Sequence, residues 1–432
     1  MKICVQGLWH LGSVTAACLS SVGHDVIGLD FDTEITQALC SGEAPLFEPG
    51  LNALLKQGIE AKRLRFSSIT NDAVANIEIL WVTYDTPIND NDQSDVNYIF
   101  TKIQSVLPHL PPNATVLVSS QLPVGSIKRL ETLATQTYDR PDLGFACSPE
   151  NLRLGKALEV FLHPDRIVVG AREERDRIRL ENLLRPISNR IEWMSVESAE
   201  MTKHAINAFL ATSVAFANEI ASICELVGAD AKEVERGLKS EHRIGPKAYL
   251  SPGAAFAGGT LARDIQFLSQ TAAQRNLPIP LLSSVKLSND EHKNWIRRCL
   301  QAKFSTLNGC TIAVWGLTYK PGTNTLRRSL SVELCNWLLA EGAYLQVHDP
   351  EVVDLPDSWT NVTRRSTPLE VLDKADALIV ATEWPQYKEI QPHHLTKIRA
   401  GLVVVDANRF LQHLNVDELD YIAVGSWHPM RS

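Results

Sequence analysis

The chain has no excess of positive charge. Its 432 residues carry 42 Lys and Arg against 50 Asp and Glu, for a formal net charge of −8. Nucleic acid is therefore not an expected partner, and an anionic ligand must be met by local donors such as helix N-termini. Paired cysteine spacing is also missing. The eight cysteines are scattered without a CxxC, as reduced thiols in a cytoplasmic protein would be. His393-His394 is the one close histidine pair, and no Cys or His stands at ligand spacing around it, so no metal is expected. Long apolar runs are absent too. Ala377–Ala381 and Leu402–Val405 fall far short of a bilayer span, and no membrane partner is expected. The opening Met1-Lys2-Ile3-Cys4-Val5 reads as a strand and not as a secretory leader, so a cytoplasmic location is the expectation.

What is present reads as a soluble α/β chain too long for one core. Short β-branched runs at 3–6, 25–29, 79–83 and 114–118 alternate with helix-length segments, and 145–148 and 167–170 continue the pattern as buried parallel strands. From Ser195 to Val227 runs one proline-free stretch of helix formers. Its apolar residues, among them Met201, Phe209, Phe216 and Ile220, fall near helical spacing. Further strand-like runs at 311–315, 344–348, 377–380 and 402–405 begin a second block. The expected fold is two Rossmann-like, doubly wound parallel-sheet domains joined by a long central helix. The expected boundaries are 1–194 for the first domain, 195–300 for a helical linker and dimerisation region, and 301–432 for the second domain. A homodimer through the central helix is expected.

Gly7-Leu8-Trp9-His10-Leu11-Gly12 follows the first strand and opens a helix. Gly7 and Gly12 stand where the first and third glycines of G-x-G-x-x-G belong, and Trp9 replaces the second, which admits the pyrophosphate. Asp30 ends the second strand, where a carboxylate bonds the adenine ribose and favours NAD over NADP. The two glycines alone are weak; strand, helix and Asp30 in register make nucleotide binding the stronger reading over a simple packing turn.

Several segments then fall in the order of a known family. Ser41–Leu51 resembles G-x-x-P-x-x-E-P-G-L, Asp85-Thr86-Pro87 resembles V-G-T-P, and Ser120–Ser126 resembles S-T-V-P-V-G-T. Ser148–Gly155 resembles N-P-E-F-L-R-E-G, and His163–Gly170 resembles P-D-R-I-V-I-G. Pro252–Asp264 resembles P-G-x-G-F-G-G-S-C-F-x-K-D, Gly316–Thr323 resembles G-L-x-F-K-P-x-T, and Asp406-Ala407-Asn408 is a version of D-x-R-N. Together they resemble the UDP-glucose/GDP-mannose dehydrogenase family over almost the whole chain. Ala381–Trp384, matching T-E-W, is read as fold maintenance.

The resemblance implies NAD as cofactor, contacted by Gly7, Trp9, Leu11, Gly12, Asp30, Thr86, Gln121, Arg263 and Arg327. It implies a nucleotide-sugar substrate, held by Glu150, Leu152, Lys203, Asn207, Arg243, Tyr249, Gly253, Gly258 and Lys320. Lys203 and Asn207, four apart on one helix face, and Asp264 match the family's residues around the substrate hydroxyl, catalytic water and oxyanion. Such a cluster suffices to activate an alcohol. A polar i,i+4 pair is otherwise an ordinary solvated stripe.

The chain departs from the family at Trp9, Gln121, Leu154, Thr260 and Arg263. Thr260 is the decisive change. It stands at the position of a cysteine that captures an aldehyde, so that an alcohol can be oxidised twice, and a threonine hydroxyl is a poor nucleophile near neutral pH. Three expectations follow: an NAD-dependent oxidoreductase making one two-electron oxidation of a nucleotide sugar; a non-catalytic nucleotide-sugar sensor; or a four-electron dehydrogenase using another nucleophile, for which no cysteine lies near Thr260 in sequence and Cys147, which precedes the Glu150 loop, is the candidate to approach in space. The first is preferred, with Thr260 at most hydrogen-bonding the substrate.

Overall fold

The structure, a computed structural model, describes residues 1–87, 94–150, 152–257 and 259–426. The chain divides into two compact units, Met1–Ile206 and Asn207–Ser432, each built on one sheet.

The first sheet contains β1 (Lys2–Gln6), β2 (Asp25–Leu29), β3 (Leu64–Ser67), β4 (Ile79–Val82), β5 (Thr115–Val118), β6 (Gly144–Cys147), β7 (Ile167–Ala171) and β8 (Ile191–Met194). Their order is β3-β2-β1-β4-β5-β6-β7-β8. Helices cover both faces, so the central strands are buried along their whole length and read as continuous apolar runs; β4, β5 and β6 are buried at every position. One pairing departs from expectation: β7 runs antiparallel to β6, through Ala146↔Ala171 and Cys147↔Gly170. A parallel pair needs a full crossover helix, and among its described residues the connection here holds only the six-residue helix Ala157–Leu162.

The second sheet contains β9 (Thr311–Trp315), β10 (Tyr344–His348), β11 (Val362–Arg364), β12 (Ala377–Val380), β13 (Val403–Val405) and β14 (Asp420–Ile422). It is ordered β11-β10-β9-β12-β13-β14, and its pairs are all parallel. In both sheets the first strand stands beside the point where strand order reverses, the place where ligands bind outside the carboxyl ends of open α/β sheets.

The long central helix spans Val196–Val227. By length and composition it could cross a membrane. Its polar side chains, however, bond within the protein: Glu200 to the Gly125 and Ile127 amides, His204 to the Leu122 carbonyl, and Asn218 to the Gly253 amide. Ala208, Ala211, Ala215 and Ala221 are buried along it, while Phe209, Phe216, Ile223 and Leu226 are exposed.

Candidate functional site

The dinucleotide turn is built as its sequence predicts. Gly7 has φ +94°, and a Cβ there would meet the Tyr84 ring at 2.6 Å; a Cβ on Gly12 would lie 1.8 Å from the Gly7 carbonyl oxygen. Glycine is needed at both, for backbone conformation and for close approach. The helix His10–Ser21 follows with Trp9 at its N-cap, no side chain capping it and no acidic residue in its first turn, which leaves its end amides to a ligand. Trp9 is 44% exposed, and Leu11 is buried behind it. Asp30 is buried; Oδ2 accepts from the Leu8 amide at 2.7 Å and Oδ1 from the Asp32 amide at 3.1 Å. A carboxylate oxygen has a second lone pair, so these bonds leave capacity for a ribose hydroxyl. The cradle fits a dinucleotide. Thr86, also buried, donates from Oγ1 to the Gln121 carbonyl at 2.5 Å, tying together two loops at the carboxyl ends of β4 and β5.

Lys203 lies on the long helix, 11% exposed. Its Nζ donates to the Glu150 carbonyl at 2.7 Å and stands 3.6 Å from Glu150 Oε1. Glu150 Oε2 accepts from the Leu152 amide at 2.6 Å. Nζ is thus fixed over the loop that follows β6. One turn further along the helix, Asn207 is buried and donates from Nδ2 to Asp264 Oδ2.

Asp264 is fully buried on the helix Thr260–Ala273, whose N-cap, Gly259, has φ +112°. Thr260 is the first residue of that helix and is exposed. Asp264 is one turn beyond it, on the same face. Arg263 is buried between them in sequence, and Gly253 is buried in the preceding loop. Gly258 lies outside the described residues.

The other predicted substrate residues are more open. Arg243 is exposed and donates from Nε to Glu241 at 2.9 Å, and Tyr249 is exposed. Lys320, half-buried, and Arg327, exposed, lie on the loop between β9 and the helix Leu330–Ala340.

Sequence reasoning missed the residues that hold these loops. Glu200 accepts from the Gly125 and Ile127 amides at 2.8 and 3.0 Å, and burial raises its pKa. Glu48, buried, accepts from His10 at 2.9 Å and from the Gly155 and Ala157 amides at 2.8 Å. Their signal was weak: polar residues inside an otherwise apolar helix at 200 and 204, and an acid in a motif with no partner nearby in sequence.

Cys147 is buried at the end of β6 and lines a cavity with Gln121, Glu150 and Lys203. Burial, and next Glu200, push its thiol far above the ordinary range.

With this geometry in hand, comparison with known proteins is direct. Residues 1–188 match the NAD binding domain of the UDP-glucose/GDP-mannose dehydrogenase family, 197–291 its central domain and 313–413 its UDP binding domain. The UDP-glucose 6-dehydrogenase of Pseudomonas aeruginosa is 31% identical, over 99% of this chain and 98% of that one. UDP-glucose 6-dehydrogenase YwqF of Bacillus subtilis is 32% identical over 90% and 89%. The solved UDP-glucose dehydrogenase of Pyrobaculum islandicum superposes with a TM-score of 0.87 at 29% identity, covering 99% of this chain and 98% of that one. The chain belongs to the UDP-glucose/GDP-mannose dehydrogenase family and is, with it, an NAD-dependent dehydrogenase of nucleotide sugars.

Proposed function

We propose that the protein oxidises one alcohol of a nucleotide sugar, a UDP-sugar being favoured, in a single two-electron step that leaves a carbonyl and reduces one NAD. The observation that carries this reading is Thr260: an exposed hydroxyl opens the helix where the family's loop carries its cysteine. It supplies no thiolate to capture an aldehyde. When bound, NAD accepts the two electrons that leave the carbinol carbon together with its hydrogen.

The chain's own residues do the rest. Lys203, with Asn207 and Asp264, takes the proton of the substrate hydroxyl on its uncharged amine, and the ammonium so formed faces the developing oxyanion. Asp264 fixes the amide of Asn207 for that work. Glu150 and Leu152 contact the sugar; Arg243, Tyr249, Gly253, Gly258 and Lys320 hold the nucleotide diphosphate. Gly7, Trp9, Leu11, Gly12, Asp30, Thr86, Gln121, Arg263 and Arg327 hold the cofactor. The burial and raised pKa of Cys147 weigh against it as a replacement nucleophile for a four-electron reaction.

The free state of all eight cysteines supports a cytoplasmic location. The exposed stripe Phe209, Phe216, Ile223 and Leu226 on the long helix supports a homodimer, since contiguous apolar surface marks an interaction face.

UDP-glucose, the substrate in the relatives' names, is the first to test, beside other nucleotide sugars, with NADH absorbance and product mass followed together. One NADH per sugar, with loss of two hydrogens, is the expected result. Two NADH per sugar, or a carboxylate product, overturns the single oxidation; tight binding without turnover selects the non-catalytic sensor. Thr260→Cys is expected to permit a second NADH per sugar.

A further inference from the structure

The segment Pro252–Ala257, which leads into the Thr260 helix, belongs to no helix or strand, yet its peptide groups are met almost one by one by side chains. The Gly253 amide donates to Asn218 Oδ1 at 2.9 Å, and the Gly253 carbonyl lies 2.8 Å from His292 Nε2. A carbonyl only accepts, so Nε2 carries the proton. The Ala254 amide donates to Asn408 Oδ1 at 2.6 Å. The Phe256 amide donates to Asn289 Oδ1 at 2.8 Å, and the Phe256 carbonyl accepts from Asn289 Nδ2 at 2.9 Å. The Asn289 amide thereby does for Phe256 what the peptide of a neighbouring strand would do.

The approach is close. A Cβ on Gly253 would lie 2.1 Å from Asn408 Oδ1. Asn218, Asn289 and His292 are 2, 3 and 7% exposed, and Asn289 and His292 share one face of the helix Pro280–His292. Phe256 itself packs with Ala208, Ala211, Ile265 and Val285. Burying three polar side chains is costly unless each is paired, and a surface loop leading into a helix can be satisfied by water. Here the buried groups fix the height and direction of the backbone that arrives at Thr260.

We propose that Asn289 and His292 are positioning residues for the reaction: they hold the Gly253–Phe256 backbone in the place from which the loop grips the nucleotide diphosphate and presents Thr260 to the sugar. The assignment rests on the proposed function above. Neither residue touches the reacting atoms; both act through the loop.

The test compares wild type with Asn289→Ala, Asn289→Asp, His292→Leu and His292→Gln. Binding of UDP and of NAD, melting temperature, and amide hydrogen exchange of the peptide carrying residues 253–257 are measured for each. Losing one such buried bond weakens UDP binding about tenfold to a hundredfold, leaves NAD binding within about twofold, and speeds exchange of that peptide alone. His292→Gln, whose amide still donates, recovers most of the loss seen in His292→Leu. A lowered melting temperature with unchanged UDP affinity overturns the proposal, and so does equal weakening of both ligands. Unchanged exchange at 253–257 in Asn289→Ala overturns it without recourse to a ligand. Wild type that binds neither UDP nor a nucleotide sugar overturns the functional reading, and the exchange result then separates that failure from a failure of the positioning.

Discussion

The two units solve the first turn of their sheets in the same way and then part. After β1, Gly7 turns with φ +94°, and Asp30, just past β2, accepts from the Leu8 and Asp32 amides. After β9, Gly316 turns with φ +90°, and Asp349, just past β10, accepts from the Leu317 and Glu351 amides at 2.7 and 3.0 Å. A Cβ on either glycine would strike the chain just past the next strand in the sheet, Tyr84 in one unit and Thr382 in the other. From there the first unit enters its helix at His10, while the second inserts a loop that carries Lys320, Arg327 and Arg328 before the helix begins at Leu330. A short turn aims a bare helix end at a pyrophosphate; a long one aims side-chain cations. On the proposed reading the same clasp serves two ligands, while the bonds of Asp30 already make it part of the architecture of the turn.

The largest effect that bears on this division is expected at Lys203. Lys203→Ala should lower kcat by about a thousandfold, a scale that proton transfer or oxyanion stabilisation reaches alone, with nucleotide-sugar binding retained. Turnover that survives the change removes Lys203 from the chemistry. Lys320→Ala tests the cation loop of the second unit. A rise of about tenfold in KM for the nucleotide sugar, the scale of one charge-assisted bond, is expected with the KM for NAD unmoved; a change in the NAD parameter alone would reverse the assignment of the two turns.

The clasp itself is probed by Asp30→Asn beside Asp349→Asn. Asp30 receives two backbone amides; Asp349 receives three, with the Thr318 hydroxyl and the Trp384 indole besides. Each change leaves one acceptor oxygen, at a cost of about 1–3 kcal/mol for a buried bond lost. Both should destabilise to denaturant, Asp349→Asn the more, and only Asp30→Asn should also weaken NAD. A stability loss in Asp30→Asn with NAD affinity intact would make Asp30 wholly architectural. Trp9→Gly should leave stability within about 0.5 kcal/mol, as expected for an exposed side chain. It restores the glycine that admits the pyrophosphate, so NAD should bind more tightly, a change read by titration.

How much of this was legible beforehand follows the range of each interaction. The glycine turn, Asp30 and the long helix show in local spacing and periodicity, and the order of the buried strands shows in their apolar runs. The strands β3, β8, β11 and β14 did not. They are three or four residues long, too short for a period to register, and β8 and β11 are partly exposed. Asp349 was invisible as the counterpart of Asp30, because a clasp across 32 residues leaves no spacing pattern. The same holds for Glu48 with Gly155, 107 residues apart, and for Asn289 with Phe256, 33 apart. Side chain to backbone bonds between distant segments are set by the completed fold. Lys203, Asn207 and Asp264 could be picked out only by family resemblance, and the structure places Asn207 against Asp264 and Lys203 against Glu150.

The smallest effect concerns the residue just before each clasp. In the first unit it is Leu29; in the second it is His348, buried, with Nδ1 3.0 Å from the Tyr387 hydroxyl. That hydroxyl donates to the His348 carbonyl, so Nδ1 is the donor in their contact. Burial lowers its pKa, against a smaller opposing pull from Asp349. The folded state therefore binds a proton less readily than the unfolded chain, whose histidines titrate near about 6.5. Stability from this group is complete above that value and declines as pH falls through it toward the folded pKa. His348→Leu copies the first unit's residue and removes the titration. The melting temperature of wild type relative to the variant should then fall as pH is lowered from about 8 to about 5. Buried carboxyls such as Glu200 and Glu225, whose pKa values burial raises, change stability in the opposite sense, but they are common to both proteins and cancel in the difference. A difference that stays flat across the range would mean that His348 does not make the second clasp more acid-sensitive than the first.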